Sequence, residues 1–504
     1  MNLSLKSLNA KRVKRVIARA IACGPLLVLP SCQIPKLRQA ELGTSLPTSF
    51  AGATSPESSA QLGIKEFYTD PVLTHLIDQA LAGNRELRGL DQEVQIARNE
   101  ILSRQGAYLP FVGFRTAAGV EKPSRFTPEG AAERDLQYFP GANFPDPLPN
   151  FLTVFNLFWQ IDIWRELRNA RDAAVQRYIA TAERRNSFVT RLVADIAENY
   201  YGLLALDKRL EMLNQIITIQ EQSLRFAEAR VAAARGTVLG VQRFQAEVRR
   251  NQSERLIVSQ EIIEVENRIN FLVGRFPQPV ERVPVDFFNL EIHPLSVGLP
   301  AQLLQNRPDI RQAERELAAA GLDVLVARAH FFPRLDISAA LGYQAFNPKY
   351  LFMTPEALTY NAAGDLTAPL INKRAIQAEY LSANARQLES LYNYQRVILN
   401  AFAEVVNRVS MAENYRRSIE VKKQQLAALE AAVDTATKLF QAARIEYLDV
   451  LLAQRDLFDA RTVLIDTKRQ QLSAIVNAYQ ALGGGGNMLP VPDPKLPPTH
   501  LFKN

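Results

Sequence analysis

The second half of the chain repeats the first, and the repeated unit is a helix with a seven-residue apolar period. Apolar residues recur every seven positions from Val189 to Val231 and again, 209 positions later, from Ile398 to Phe440. The same offset pairs Gly274 with Gly483. A period of seven is typical of helices that pack side by side, because 3.5 residues per turn keep one face on the partner. The sequence therefore predicts two tandem copies of one long helical hairpin.

The repeated helix is too long for a compact globular domain. Residues 165–233 contain no proline and a single glycine, Gly202, and would extend over roughly 100 Å at 1.5 Å per residue. Two shorter helices, 71–83 and 86–107, are predicted before it, with a break at Gly83 and Asn84. Asp70 is suited to cap the first of them, and Pro71 to occupy its first position.

Alternating apolar residues predict strands at equivalent places in both copies. Residues 87–119 align with 310–342 at an offset of 223, and the period of two is plain from Leu335 to Tyr343. Each copy has a second candidate strand later in the chain, and insertions between the two strands predict exposed loops at a shared end. The second candidate strands are Phe151–Ile161 and Tyr360–Leu370, and the loops are Val120–Asn150 and Gln344–Leu358. The whole chain is predicted to hold four strands and about eight helices.

Four strands of about 10 residues are long enough to cross a bilayer when tilted, but four cannot close a barrel, and an open edge in lipid is costly. Two interpretations remain at this point. The strands form a soluble sheet that caps the helices, or several chains together complete one barrel.

The basic charge of the chain is concentrated at its start. Lys and Arg number 59 against 52 Asp and Glu, but six of the basic residues and no acids precede Cys32. The remainder is close to neutral, so nucleic-acid binding is not indicated.

The first 31 residues resemble a bacterial lipoprotein signal peptide. A basic start is followed by the apolar run Ala20–Leu29, about half the length needed to span a bilayer, and then by Leu29-Pro30-Ser31-Cys32, which resembles a lipobox. We expect acylation of Cys32, including palmitate. The alternative is cleavage elsewhere, with Cys32 an incidental thiol. In lipoproteins of this kind, an aspartate directly after the acylated cysteine favours retention at the inner membrane. Gln33 stands at this position, so the outer membrane is favoured.

These patterns divide the chain into five segments. A signal peptide is expected at 1–31, an extended tether at 32–69, the first repeat at 70–290, the second repeat at 291–486 and a flexible tail at 487–504.

The ordered set of features resembles the TolC-like outer membrane factor family, specifically its lipoprotein branch. The resemblance rests on the two copies, the lipobox, the paired segments Ala107-Tyr-Leu-Pro110 and Ala329-His-Phe-Phe-Pro333, and the segment Tyr447–Arg455. It implies a mainly α fold with a small membrane β-barrel: three chains contribute four strands each to a 12-stranded barrel on a long helical tube. It also implies an outer membrane exit duct for small molecules, working with a periplasmic adaptor and an inner-membrane transporter.

The resemblance places the inner mouth of such a duct where the long helices turn back, at 443–452 and at the equivalent 234–243. The second acid of the family motif is replaced by Leu452, and Gly240 stands opposite Asp449, so several acidic rings are not expected. Asp449 is either a gating carboxylate or a helix cap. The candidate gate residues are Arg444, Glu446, Leu448, Asp449 and Leu452.

No catalytic or cofactor motif accompanies this pattern. The four histidines, His75, His293, His330 and His500, are scattered, and neither a phosphate-binding glycine loop nor a nucleophile elbow is present. We expect neither enzymatic activity, nor a cofactor, nor a metal site. Two alternatives remain: a periplasmic helical adaptor or scaffold, and a type I duct that exports proteins through the same architecture.

Overall fold

The computed structural model describes residues 34–41, 43, 45–50, 56–234, 236–283, 286–290, 292–442 and 444–485. The predicted signal peptide, Cys32, Ala443 and the predicted tail at 487–504 lie outside the described residues.

Ten α-helices and six strands are present within these ranges. The helices are α1 Ile64–Phe67, α2 Pro71–Gly83, α3 Arg85–Ala107, α4 Pro128–Asp135, α5 Glu166–Ala232, α6 Val238–Val273, α7 Leu303–Asn306, α8 Pro308–Ala329, α9 Arg374–Gln441 and α10 Tyr447–Ala481. The strands are β1 Phe111–Glu121, β2 Gln137–Phe139, β3 Ala142–Asn143, β4 Leu148–Ile161, β5 Arg334–Ala345 and β6 Leu358–Thr367.

The two predicted helices at the start of the first repeat are confirmed. The carboxylate of Asp70 accepts hydrogen bonds from the N–H groups of Val72 at 2.8 Å and Leu73 at 3.2 Å, which satisfies N–H groups that have no partner within the helix. Asn84 separates α2 from α3, at the position where a break between the helices was predicted.

The predicted count of four strands and eight helices is too low, because short elements escape a periodic pattern. The predicted tether contains α1 and a 3-10 turn at Ser59–Gln61, and the predicted loop Val120–Asn150 contains α4, β2 and β3. Strand β4 also begins earlier than predicted, at Leu148. Strand β6 ends at Thr367 rather than Leu370, since Pro369 has no N–H to continue a ladder.

Four strands form one antiparallel sheet in the order β1-β4-β5-β6, and β2 and β3 form a separate pair. Within one chain, β1 and β6 are therefore the two edges of the large sheet. The sheet belongs to one of two compact units, which contains the residues up to Glu41, Ala97–Tyr178 and Glu316–Leu391.

The strand register gives the sheet one apolar and one largely polar face. Val112, Leu157 and Ala339 follow one another across three strands, as do Phe114, Phe155, Leu341 and Tyr360 across four. Val112, Phe114, Phe155, Leu341 and Tyr360 on this face are solvent-exposed in the single chain. The opposite face carries most of the polar side chains: Arg115, Glu121, Asn150, Asn156, Gln160, Asp336, Ser338, Gln344, Thr359, Asn361 and Asp365.

The second unit contains Leu42–Ile96, Ile179–Arg315 and Tyr392–Asn504, and it holds the largest apolar core. The seven-residue seams of α5 and α9 are buried or half-buried at every position predicted, so the heptad interpretation is confirmed. Next to them Phe67 stacks on Tyr479 with ring centroids 3.9 Å apart. Tyr200 donates a hydrogen bond to Asp70 at 2.7 Å, which ties α5 to the cap of α2.

No helix in the described part of the chain is both long enough and apolar enough to cross a membrane.

A short N-terminal segment packs on the helices of the first unit. Ile34 and Leu37 contact a cluster that includes Phe331 and Tyr380. The N–H of Arg38 donates to Oδ1 of Asn384 at 3.0 Å, and the buried Asn384 amide also reaches the Arg38 carbonyl at 3.5 Å. The segment that follows Cys32 is thus fixed beside the C-terminal end of α8, which leads into β5.

His330 joins two helices at the same end of α8. Its Nε2 lies 3.4 Å from a carboxylate oxygen of Glu166 in α5, and its Nδ1 lies 3.0 Å from one of Glu379 in α9. Hydrogen bonding to Glu166, and then to Glu379, raises the pKa of His330 to about 9, although partial burial opposes this. The imidazolium therefore stays charged at neutral pH.

This contact predicts a loss of stability at alkaline pH. The pKa of His330 in the folded chain lies above its ordinary value of 6.5, so its contribution is fully present below pH 6.5 and is lost as pH rises through about 9. We expect His330→Gln to remove about 1 kcal/mol near neutral pH and little at pH 10. Thermal unfolding against pH measures this, with the exposed His75→Gln as control. Equal destabilisation of His330→Gln at both pH values would contradict it.

Candidate functional site

The two hairpin turns of the second unit form the candidate site. In the first repeat α5 ends at Ala232, and α6 begins at Val238 with Thr237 as its cap; the Thr237 hydroxyl accepts from the Gly240 N–H at 3.2 Å. In the second repeat α9 ends at Gln441 and α10 begins at Tyr447. The predicted equivalence of the turns is confirmed in their positions.

Asp449 lies in the first turn of α10. Its Oδ2 accepts a hydrogen bond from the backbone N–H of Glu446 at 3.2 Å, and the residue is exposed. The carboxylate thus acts as a helix-terminal cap, and its negative charge is favourable at this end of a helix. The capping interpretation of Asp449 is confirmed. The gating role of Asp449 stays a prediction.

The other predicted gate residues differ in their surroundings. Arg444 is exposed, its N–H donates to the Leu439 carbonyl at 2.9 Å, and within the described residues its guanidinium has no acid within 4.0 Å. Glu446 is exposed and Leu448 is half-buried. Leu452, one turn further along α10, is 46% exposed.

A groove of about 480 Å³ separates the two turns and is lined by residues of both, including Thr237, Arg243, Glu446 and Leu448. The structure therefore brings together Glu446 and Leu448 with the equivalent turn of the first repeat. Asp449, Arg444 and Leu452 lie outside this lining.

Aromatic residues between the turns were missed by sequence reasoning. Tyr447 contacts Phe244 and Phe440, with ring centroids 4.6 and 4.7 Å away, and Arg230 lies 5.2 Å from the centre of the Phe440 ring. Burial raises the pKa of Tyr447, against a hydrogen bond to Ser223 that lowers it. The cluster fixes the two turns against each other. Only Phe440 and Tyr447, next to the second turn in the sequence, gave a local signal of aromatic contacts there.

Among the described residues, no three or more His, Cys, Asp or Glu side chains are grouped so as to hold a metal ion.

Two helical hairpins in tandem, joined to a four-stranded sheet that is apolar on one face, define a class of outer membrane channel proteins. The sequence model of the outer membrane efflux protein family matches residues 76–275 and 299–484, and the chain belongs to this family. It is an exit duct of an efflux system in the outer membrane and not an enzyme. Members of the family are trimeric channels that work with adaptors and inner-membrane transporters.

Named relatives agree with this assignment over most of the chain. The cation efflux system protein CusC of Escherichia coli O6:H1 is 26% identical over 423 residues, which is 84% of this chain and 88% of CusC. The solvent efflux pump outer membrane protein SrpC of Pseudomonas putida is 27% identical over 474 residues, 91% of this chain and 97% of SrpC. The open-state crystal structure of the Neisseria gonorrhoeae outer membrane channel MtrE has a TM-score of 0.78 at 21% identity, covering 90% of this chain and 98% of MtrE.

Proposed function

We propose that three copies of this chain close a 12-stranded barrel in the outer membrane and export small molecules through it. The cross-strand register is the observation that carries this proposal. It places apolar side chains on one face of all four strands and most polar side chains on the other, the alternation required of a wall between lipid and a water-filled pore. Strands β1 and β6 each leave an edge unpaired within the chain, and pairing β6 with β1 of the next copy removes both.

Lipidation of Cys32 would give the chain a second membrane anchor in addition to the barrel. In support, Ile34, Leu37 and Arg38, just beyond Cys32, are fixed beside the helix that leads into β5. The barrel supplies most of the anchoring, so Cys32→Ser is expected to lose acyl labelling with the assembly intact. Persistent labelling would place the acyl group elsewhere.

The hairpin turns form the inner mouth and face the partners. The groove between them has exposed apolar side chains, including Phe226 and Leu239, 53% and 59% exposed, and offers a docking surface to a periplasmic adaptor that connects the duct to an inner-membrane transporter. CusC is named for cation efflux and SrpC for solvent efflux. For this chain we propose small molecules as cargo.

A ring of three Asp449 carboxylates selects cations at the mouth. Like charges around a narrow opening raise the local concentration of cations and can bind them. Within the chain Arg444 has no acid partner among the described residues, so its guanidinium is free to pair with an acid of the neighbouring copy and hold the mouth closed. Leu448 and Leu452 would then provide the apolar part of the constriction beside Glu446.

Asp449→Asn separates gating from capping. The asparagine side-chain oxygen can still accept from the Glu446 N–H, so α10 keeps its cap while the charge is lost. We expect the cation preference of the purified channel in planar bilayers to fall about tenfold. Asp434→Asn, an exposed carboxylate paired with Lys438 on α9, is the control.

Arg444→Ala is the companion variant, and it should raise resting conductance several-fold because the closing pair is lost. Wild-type selectivity in Asp449→Asn together with wild-type conductance in Arg444→Ala would show that both residues serve only the turn.

A further inference from the structure

The two repeats differ at the residue that precedes α3 and α8. Asn84 holds this position in the first repeat and Arg307 in the second. The Nδ2 of Asn84 donates to the Leu272 carbonyl at 2.8 Å, and Nη1 of Arg307 donates to the equivalent Ala481 carbonyl at 2.7 Å. The surrounding backbone is therefore equivalent, and the difference lies in the side chains.

In the second repeat the Arg307 guanidinium fills the space between the helices. It pairs with Asp309 at 2.7 Å and with Glu404 at 2.9 Å, and the Arg307 side chain is only 9% exposed. The corresponding acids of the first repeat are Glu86 and Asp195. Asn84 is too short to reach them.

A cavity of about 780 Å³ occupies this place in the first repeat, and Asn84, Glu86 and Asp195 are among its lining residues. Asp195 is half-buried, and within the described residues its carboxylate has no hydrogen-bond or ion-pair partner. The volume lies in the range typical of small-molecule sites.

The rim of the cavity is basic, unlike the equivalent positions of the second repeat. Arg85, Arg191, Arg268 and Arg275 line it, where the second repeat has the uncharged residues Pro308, Asn400, Asn477 and Gly484. Four arginines face two carboxylates, so the lining carries an excess of positive charge. Within the described residues Arg191 and Arg268 make no ion pair. Each lies over an aromatic ring, 5.4 Å from the centre of Phe188 and 5.5 Å from that of Phe271.

Two aromatic side chains extend the rim into solvent. Phe271 is 65% exposed and Phe276 is 92% exposed, and the equivalent positions of the second repeat are Gln480 and Gly485. The arginines and the exposed rings therefore occur together at this place in the first repeat and not at the equivalent positions of the second. Burial raises the pKa of Asp195 although Arg191 and Arg268 oppose it, so its charge is poorly compensated.

We propose that this cavity is a binding site for an organic anion with a flat aromatic body, such as an aromatic carboxylate or sulfonate. Arg191 and Arg268 would hold the anionic group through charge-assisted hydrogen bonds, and Phe271 and Phe276 would cover the body. The excess of arginine disfavours the opposite occupant, a cation that takes the place of the Arg307 guanidinium. The proposal rests on residues of a single chain and does not depend on the function proposed above.

The test is calorimetric titration of the purified full-length complex with two probes that share a ring system. Naphthalene-2-sulfonate is expected to bind once per chain with a Kd on the order of 100 µM. The cation 2-naphthylmethylammonium should bind at least about tenfold more weakly.

Two variants are expected to weaken sulfonate binding and one to strengthen it. Arg191→Gln with Arg268→Gln should weaken sulfonate binding about tenfold, whereas Asp195→Asn should strengthen it several-fold because a repelling charge is removed. Asn84→Arg should weaken binding, since the new side chain would occupy the part of the cavity beside Glu86 and Asp195, as Arg307 does beside Asp309 and Glu404. Arg396→Gln, a change at an exposed arginine distant in sequence from the cavity, should leave binding unchanged.

Tighter binding of the cation would overturn the proposal in favour of a guanidinium-like occupant. Absence of sulfonate binding, or binding that none of the variants changes, would also overturn it. If Asn84→Arg fails to assemble, the exposed Arg191 and Arg268 variants still decide the matter. Channel conductance recorded on the same preparations keeps this result distinct from any failure of the proposed duct.

Discussion

Gly342→Val is expected to prevent formation of the sheet and to remove the protein from the outer membrane as an assembled oligomer. Gly342 lies in β5 opposite Val154 of β4. A Cβ atom at this position would overlap the Thr153 carbonyl oxygen and would lie 2.6 Å from the Val154 Cα. Backbone atoms of a paired strand cannot move aside as a flexible side chain can, so the ladder between the repeats must break.

Outer membrane fractionation and semi-native electrophoresis measure this effect. Gly364→Val is the matched control, because a Cβ atom at Gly364 in β6 meets nothing within 4 Å. We expect the control to assemble at the wild-type level and Gly342→Val to yield less than about a tenth of it. Equal recovery of both variants would contradict the register of β4 and β5.

The second large effect is expected for Leu203→Glu in the seam of α5. Leu203 is fully buried in the core of the second unit, and a carboxylate there would have neither water nor a cation to compensate its charge. Such a burial costs on the order of 4 kcal/mol or more. The complex is therefore expected to lose its trimeric form and to be cleaved more readily by added protease.

Leu203→Met is the control for that variant, since it conserves apolar character and nearly the same volume, at a cost below about 1.5 kcal/mol. Size-exclusion chromatography with light scattering gives the oligomeric state of both. A Leu203→Glu protein that stays trimeric with an unchanged melting temperature would mean that the seam does not stabilise the fold.

The long helices, their seams and the main strands could be predicted because each depends on a periodic pattern within one segment. A buried residue every seven positions from Val189 onward specifies a helix face, and alternation from Leu335 to Tyr343 specifies a strand face. Proline and capping residues also act within a few residues of a helix start, as Asp70 does for α2.

Features that depend on neighbours remote in sequence could not be predicted. Phe226, Phe244, Phe440 and Tyr447 meet only because two turns about 200 residues apart pack together, and none has an aromatic counterpart at the offset of 209. A comparison of the repeats therefore gave no sign of the cluster. The cavity beside Asn84 likewise depends on contacts between helices remote in sequence, and Arg307 stands at the equivalent position of the second repeat.

The candidate gate stays a prediction. The sequence placed Asp449 at a turn and left cap and gate as alternatives. The geometry establishes the cap, whereas a ring of carboxylates is a property of three chains. Residues on an axis of symmetry acquire their electrostatic role from copies of themselves, and a single chain does not contain them.

Native mass spectrometry of the complex extracted from outer membranes tests the central claim most directly. Because β1 and β6 are edges within one chain, a barrel in lipid needs more than one copy. We predict a complex of three mature, acylated chains that remains intact on gentle activation. A stable single chain with its sheet closed in the membrane would contradict this account.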